Sequence, residues 1–162
     1  MQIRRLMLSL LATALLVSSS AAAAEIGSAK RLGIGLGGGT TTSGLTAKYY
    51  LAPTSAVQVF VGQRLKYGNS ISADYIMEFG PLAKAAPGKL FWGAGVGAGL
   101  LMYNRDKHRS NLVAISGVLQ IGWHFSQFPL ELIADWRPTF YIGDYDDGLW
   151  LGGGGGAIRW FF

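Results

Sequence analysis

From residue 30 onward, apolar and polar positions alternate with a period of two, the spacing at which successive side chains of a β-strand point to opposite faces. Eight such stretches stand between turn-forming residues, at about 30–40, 44–52, 55–66, 69–80, 89–103, 111–125, 129–142 and 148–162. One parity carries the apolar and aromatic residues. In the first half these are Leu32, Ile34, Leu36, Leu45, Ala47, Tyr49, Leu51, Val57, Val59, Val61 and then Ile71, Ala73, Tyr75, Met77 and Phe79. In the second half they are Leu90, Trp92, Ala94, Val96, Ala98, Leu100, Val113, Ile115, Leu119, Ile121, Trp123, Phe125, Leu130, Leu132, Ala134, Trp136, Phe140, Trp150, Ile158, Trp160 and Phe162.

The charges occupy the other parity: Lys48, Arg64, Asp74, Glu78, Glu131, Asp135, Arg137 and Arg159, four positive and four negative. Ions are tolerated in a confined interior when opposite charges and hydrogen bonds compensate them, so these eight are expected to form an internal salt-bridge network. Each segment exceeds or matches the ~9 to 11 residues that a tilted strand needs to cross a membrane, and eight matches the smallest barrels that do so. The pattern therefore predicts an all-β fold, a closed antiparallel eight-stranded up-and-down transmembrane β-barrel. A soluble carrier barrel would be the reverse, apolar within and polar without.

The N-terminus sets the compartment. Arg4 and Arg5, an apolar stretch from Leu6 to Val17, and the small residues Ser18 to Ala24 have the anatomy of a secretory signal peptide. The apolar stretch falls short of the ~20 residues of a membrane-spanning helix. Residues 1–24 are thus expected to be cleaved, leaving 25–162 as the barrel. Twelve Lys and Arg then face nine Asp and Glu, a charge of +3 that gives no reason to invoke nucleic acid. The chain has no cysteine, so packing and backbone pairing must supply its stability.

With both termini on the periplasmic side, the connections 52–54, 81–88 and 126–128 face the periplasm. Glu78, Glu131 and Arg159 then lie low in the lumen, and Lys48, Asp74, Asp135 and Arg137 nearer mid-height, predicting two layers of charge pairing. Phe79, Trp92, Trp123, Phe125, Trp160 and Phe162 would gather at the periplasmic rim as an aromatic girdle, with Phe140 and Trp150 at the outer one.

The last seven residues, Gly156-Ala157-Ile158-Arg159-Trp160-Phe161-Phe162, are the most specific piece. As architecture, nearly the whole of 25–162 resembles the small eight-stranded bacterial outer-membrane barrels typified by the transmembrane domain of OmpA and by OmpX. In that group, a final strand of alternating apolar and aromatic residues ending in phenylalanine is the signal read by the outer-membrane assembly machinery. Ile158, Trp160 and Phe162 fit it. The resemblance implies residence in the bacterial outer membrane after export through the periplasm, as a monomer among outer-membrane lipids and lipopolysaccharide.

Other motifs weigh less. Gly33 to Gly38 satisfies G-x-G-x-x-G, but no helix follows to bring amides to a pyrophosphate. The inward glycines 33, 35, 37 and 39, with 93, 95, 97 and 99 on the opposing strand and Gly153 and Gly155 beside the first group, read better as bare walls. Such walls either open a cleft or admit long side chains from neighbours, and a narrow lumen favours filling. His124-Phe125-Ser126 resembles the His-x-Ser element of outer-membrane lipid A deacylases, with Glu131 or Asp135 as the acid. Its place beside a periplasmic turn argues for ordinary solvated groups. Two histidines and no cysteine give no transition-metal constellation, no cofactor is implied, and the acidic turn 143–148 reads as solvated rather than as a cation site. The basic stretch with Arg105, Lys107 and Arg109 lies where lipopolysaccharide phosphates would be. The leading reading is non-enzymatic, a structural or interaction role in the cell envelope through short outer loops. A narrow porin-like pore for small solutes is the alternative, and a lipid A-modifying enzyme using His124 and Ser126 the second alternative.

Overall fold

The computed structural model describes residues 26–27, 29–64, 68–85, 87–105, 108–143 and 148–162, without the side chains of 103–105 and 108–110. Its strands are β1 (Leu32–Gly39), β2 (Ser43–Ala52), β3 (Ser55–Arg64), β4 (Gly68–Ala85), β5 (Gly88–Arg105), β6 (His108–Phe125), β7 (Leu130–Trp136), β8 (Thr139–Ile142), β9 (Gly148–Trp150) and β10 (Gly154–Phe161). β1 to β6 each pair antiparallel with the next strand, β6 pairs with both β7 and β8, β8 pairs with β9, β7 pairs with β10, and β1 closes onto β10. The ring has eight staves, because β7 with β8 and β9 with β10 are the seventh and eighth predicted strands, each interrupted once. Among the described residues there is no helix. The expected signal peptide lies outside the described residues.

The stagger follows from the register. Starting at Phe91, the cross-strand partners run through Gly122, Ile133, Ala157, Gly37, Gly44, Gly62 and Ser70 and return to β5 at Leu101, ten residues further along. A closed sheet with such an offset must tilt its strands, by ~35 to 45° in barrels of this kind. The ring closes through the β5–β6 and β1–β10 pairings, and among the described strands β9 pairs on one side, with β8.

The interruptions of the last two staves lie opposite each other. Pro138 has no amide to donate. Its carbonyl accepts from Gly117, while the Arg137 amide bonds the Gly153 carbonyl. Gly154 faces Trp136, yet Trp150 faces Thr139, so residues 151–153 contain one more residue than the opposing segment. An extra residue exchanges the two faces of the strand beyond it. This corrects the expected outer girdle: Leu149 shares the outward face with Phe140, whereas Trp150 shares the inward face with Thr139, its ring 6.5 Å from that of Tyr141. A second correction concerns the expected basic outer loop. Tyr103, Asn104 and Arg105 pair with Ser110, Arg109 and His108, so β5 and β6 continue as one long hairpin.

Elsewhere the parity holds. Leu36, Leu45, Val96 and Ile115 are 52 to 65% exposed, while their neighbours Thr46, Ala114 and Ser116 are buried. Inside, apolar clusters lie toward both ends. Tyr50, Ala56 and Phe161 pack with Ile26 where β1 begins and β10 finishes, here called the proximal end. Leu101, Leu112, Ala114 and Tyr141 pack near the distal end, and Phe60, Phe91, Ile133 and Ala157 lie between.

The glycine walls are filled rather than open. A Cβ on Gly33 would sit 2.6 Å from the Phe161 ring and one on Gly37 2.7 Å from that of Phe60. One on Gly97 would overlap the Asp74 carboxylate. Eight-stranded lumens hold little more than the side chains of their own wall, so large groups on one strand require bare backbone beside them. Gly97→Ala is therefore expected to lower stability by about 1 to 3 kcal/mol through overpacking against the fixed Asp74. Urea unfolding of the folded barrel, followed by tryptophan fluorescence, measures this; an unchanged midpoint would mean that Asp74 is free to move.

Candidate functional site: an ionic column inside the barrel

Three inward-facing rows of the sheet build the polar interior. One runs Lys48, Gln58, Asp74, Gly97, Ser116 and Thr139; another Glu78, Gly93, Gln120, Asp135 and Gly155; the third His124, Glu131, Arg159, Gly35 and Thr46. Directly opposed residues in antiparallel strands share a face with Cβ atoms about 5 Å apart, so each row presents its polar groups side by side. The glycines leave the space that those groups need.

In the proximal layer the Lys48 ammonium bridges two carboxylates, Glu78 Oε1 and, at 2.6 Å, Glu131 Oε2. Glu131 Oε1 accepts from Arg159 Nη1 at 2.7 Å. Arg159 reaches across Gly35 to Thr46 Oγ1, at 3.1 Å from Nε and 3.0 Å from Nη2. Tyr50 donates its hydroxyl to Glu78 Oε2 at 2.5 Å, and Gln120 Nε2 donates to Glu78 Oε1 at 2.9 Å. His124 Nε2 lies 2.9 Å from Glu131 Oε2 and 3.4 Å from the Tyr50 hydroxyl.

In the distal layer Arg137 grips Asp74 with two hydrogen bonds, at 2.8 and 2.9 Å, the planar fork-to-fork geometry that only arginine offers a carboxylate. Asp135 adds longer contacts at 3.4 Å. Gln58 joins the layers, accepting from Arg159 Nη2 at 3.0 Å and donating to Asp74 Oδ2 at 2.9 Å. Seven of the eight charges expected to meet inside thus lie in one hydrogen-bonded column. Arg64 stands further toward the distal end, its guanidinium 4.9 Å from the centre of the Tyr141 ring.

Two details differ from the expectation. Lys48 was placed with the mid-height charges, but its long side chain takes its ammonium to the proximal layer. There, two cations meet two carboxylates. The distal layer holds one arginine against two carboxylates, with Arg64 beyond it. Reading charges alone also missed Tyr50, Gln58, Gln120 and Thr46, the neutral polar groups that complete the column. Their signal was present, since all four occupy the inward parity of otherwise apolar strands.

His124 is the other addition. It points inward to Glu131 and Tyr50, while Ser126 is exposed in the following turn with its amide bonded to the Pro87 carbonyl. The geometry gives His124 a carboxylate and a phenol as partners, and no hydrogen bond joins it to the Ser126 hydroxyl. Glu78, His124 and Glu131 each offer a ligand atom within 4.8 Å of the others, a spacing able to chelate a cation. That place is taken by the Lys48 ammonium, which touches both carboxylates and whose side chain is 0% exposed. An entering metal ion would have to displace that ammonium from between the two carboxylates.

Arg105 and Arg109 lie on the distal β5–β6 hairpin, but Lys107 and their side chains lie outside the described residues, as does the acidic turn 144–147. Ile158, Trp160 and Phe162 share one face of the last stave, with Ile158 and Phe162 exposed and Trp160 half-buried. No protein-family model, curated protein or solved structure matches this chain.

Glu131 anchors the proximal layer, touching Lys48, Arg159 and His124. Glu131→Gln leaves buried cations without their counter-charge and is expected to cost about 3 to 5 kcal/mol. Adding Arg159→Met should recover part of this loss, because Arg159 pairs with Glu131 while Lys48 keeps Glu78, so the double variant buries fewer unpaired charges. A double-mutant cycle from urea unfolding checks both; additive losses would show that the two groups are not coupled.

Proposed function

We propose that this protein resides in the bacterial outer membrane as a closed, non-conducting β-barrel with a structural or interaction role in the cell envelope. The observation that carries this reading is the outer belt. Leu32, Ile34, Leu36, Leu45, Leu51, Val61, Ile71, Met77, Val96, Ile115, Leu119, Ile121, Leu132 and Ile158 are all exposed, and no charge interrupts them between the rims. A soluble monomer rarely presents a contiguous apolar patch beyond a few hundred Å². Hydrocarbon is the solvent that such a surface suits.

The height of the belt agrees. On β5 the outward run from Leu90 to Leu100 covers ten residue steps, roughly 33 Å along the strand at ~3.3 Å per residue. Tilted by ~40° it rises ~25 Å, the apolar thickness of an outer-membrane barrel. Stacked aromatics mark one edge: Phe79 lies on Trp92 at 4.6 Å and Phe125 on Phe128 at 5.0 Å. Polar Gln63, Asn69 and Asn111 mark the other, on a row that also includes Met102. In this reading residues 1–24 are a cleaved export signal, the proximal end faces the periplasm, and Ile158, Trp160 and Phe162 address the chain to the assembly machinery. Arg105, Lys107 and Arg109 on the distal hairpin contact lipopolysaccharide phosphates.

The same geometry favours a blocked lumen over a pore. Lys48, Gln58, Asp74, Glu131, Thr139 and Arg159 are at most 1% exposed, so water has no contact with them from either mouth. Planar bilayers containing the folded protein are expected to show no steady unitary conductance, and a reproducible open level would restore the pore reading.

Membrane residence itself is tested with Val96→Arg. Arginine at the mid-height of a lipid-facing surface costs ~2 to 4 kcal/mol, whereas an exposed valine of a soluble protein accepts it freely. Folding free energies in phospholipid vesicles distinguish the two; an unaltered value would place this belt in water.

A further inference from the structure

The two layers of the column differ in their balance of charge. In the proximal layer Lys48 and Arg159 meet Glu78 and Glu131, and each carboxylate touches a cation at full contact. In the distal layer Arg137 commits its fork to Asp74, at 2.8 and 2.9 Å. Asp135 receives only two long contacts from the same guanidinium, both at 3.4 Å, beyond the ~2.7 to 2.9 Å of a full charge-assisted hydrogen bond. Among the described residues Arg137 is the one ion-pair partner of Asp135, whose side chain is 3% exposed. A carboxylate buried with so little compensation is costly unless a further positive charge, or a proton, completes it.

Room for that charge lies beside Asp135. The next positions along its row of the sheet are Gly155 and Gly39. The bare wall at Gly33, Gly37 and Gly97 is filled by Phe161, Phe60 and Asp74, whereas the atoms nearest a Cβ on Gly39 or Gly155 are backbone alone. A cavity of about 10 Å³ lies at these two glycines, space for a single particle of water's size. Asp135 lines it together with Thr41 and Thr42 of the β1–β2 turn. These threonines are 7% and 3% exposed. Among the described residues no side-chain hydrogen bond engages either of them, although the hydroxyls of Thr40 and Ser43 on either side accept from the Gly154 and Gly39 amides. The groups gathered at the cavity are thus a carboxylate and two buried hydroxyls, hard oxygen donors of the kind that hold alkali and alkaline-earth ions rather than transition metals. Charge then selects between those two classes. With Arg137 facing Asp74 and Asp135, a single positive charge brings the distal layer to the neutrality of the proximal one, and a double charge would leave an excess beside the arginine.

We propose that this pocket binds one monovalent metal cation of sodium's size, held by the Asp135 carboxylate and the hydroxyls of Thr41 and Thr42. The ion completes the charge balance of the distal layer and ties the β1–β2 turn to the seventh stave, while Arg137 keeps its fork on Asp74. The inference goes beyond the envelope reading, since it depends on the balance of charge in the lumen and not on what surrounds the barrel.

The test follows urea unfolding of the full folded barrel in a non-ionic detergent, by tryptophan fluorescence, as sodium chloride replaces choline chloride at constant ionic strength. A ligand that binds only the folded state raises the midpoint as its concentration passes the Kd, so the midpoint is expected to climb with sodium, and less with calcium at the same ionic strength. Asp135→Asn should abolish the sodium response yet unfold in choline at or above the parent's midpoint, because it removes a buried charge that choline is too large to reach. A carboxylate with a purely structural role behaves otherwise, since its loss lowers the midpoint equally in both salts. Thr42→Val keeps the shape and the carboxylate but deletes one oxygen donor, and should move the sodium dependence to roughly tenfold higher concentration. A midpoint indifferent to the exchange of choline for sodium, a sodium response retained by Asp135→Asn, or a larger response to calcium overturns the proposal. None of these outcomes bears on membrane residence, which Val96→Arg tests separately.

Discussion

A cylinder of eight strands staggered by ten residues encloses a space barely wider than the side chains of its own wall. Every inward residue must then find its complement among the other seven staves, because water cannot supply it. The ionic column is the outcome of that constraint. Glu131 is tolerable only because Lys48, Arg159 and His124 surround it, and Asp74 only because Arg137 and Gln58 do. Replacing such a cluster with well-packed apolar residues often costs nothing in stability. What the ions add is discrimination among registers, since a slip of one strand by one residue would turn that strand's charges toward the apolar side.

The same narrowness explains the glycines and the breaks. Bare backbone on β1 and β5 makes room for Phe60, Phe161, Ile76 and Asp74. Interruption of the last two staves at Pro138 and 151–153 lies beside Arg137, whose amide is bonded to the Gly153 carbonyl. The backbone that carries the distal arginine is thus fixed by an irregularity of the wall. Functionally, this divides the molecule into a sealed middle and two chemically distinct ends. In the middle, the carboxylates, cations and His124 are engaged with one another.

Much of this was legible in the residue pattern. Period-two alternation with charges confined to one parity specified strands, their number and which face was apolar, and it brought seven ionic groups to the same interior. Lys48 was assigned to the wrong layer because parity gives the height of a Cα, whereas a four-carbon side chain delivers its charge several ångströms away. Trp150 was assigned to the wrong face because counting by twos fails across an inserted residue, and a Gly-rich run such as 151–156 contains no side-chain pattern to reveal where the insertion falls. Residues 103–105 and 108–110 of the expected outer loop proved to be paired strand because tertiary continuation of a ladder overrides polar local composition.

What the sequence alone determined is the partition between outward-facing and lumen-facing residues, because alternation along a strand is a property of the local backbone and needs no knowledge of neighbours. What only the tertiary structure decided is which charge meets which. That choice depends on the stagger, on the bulge in the eighth stave and on the reach of each side chain across bare glycine, all of which arise when distant strands close into one ring.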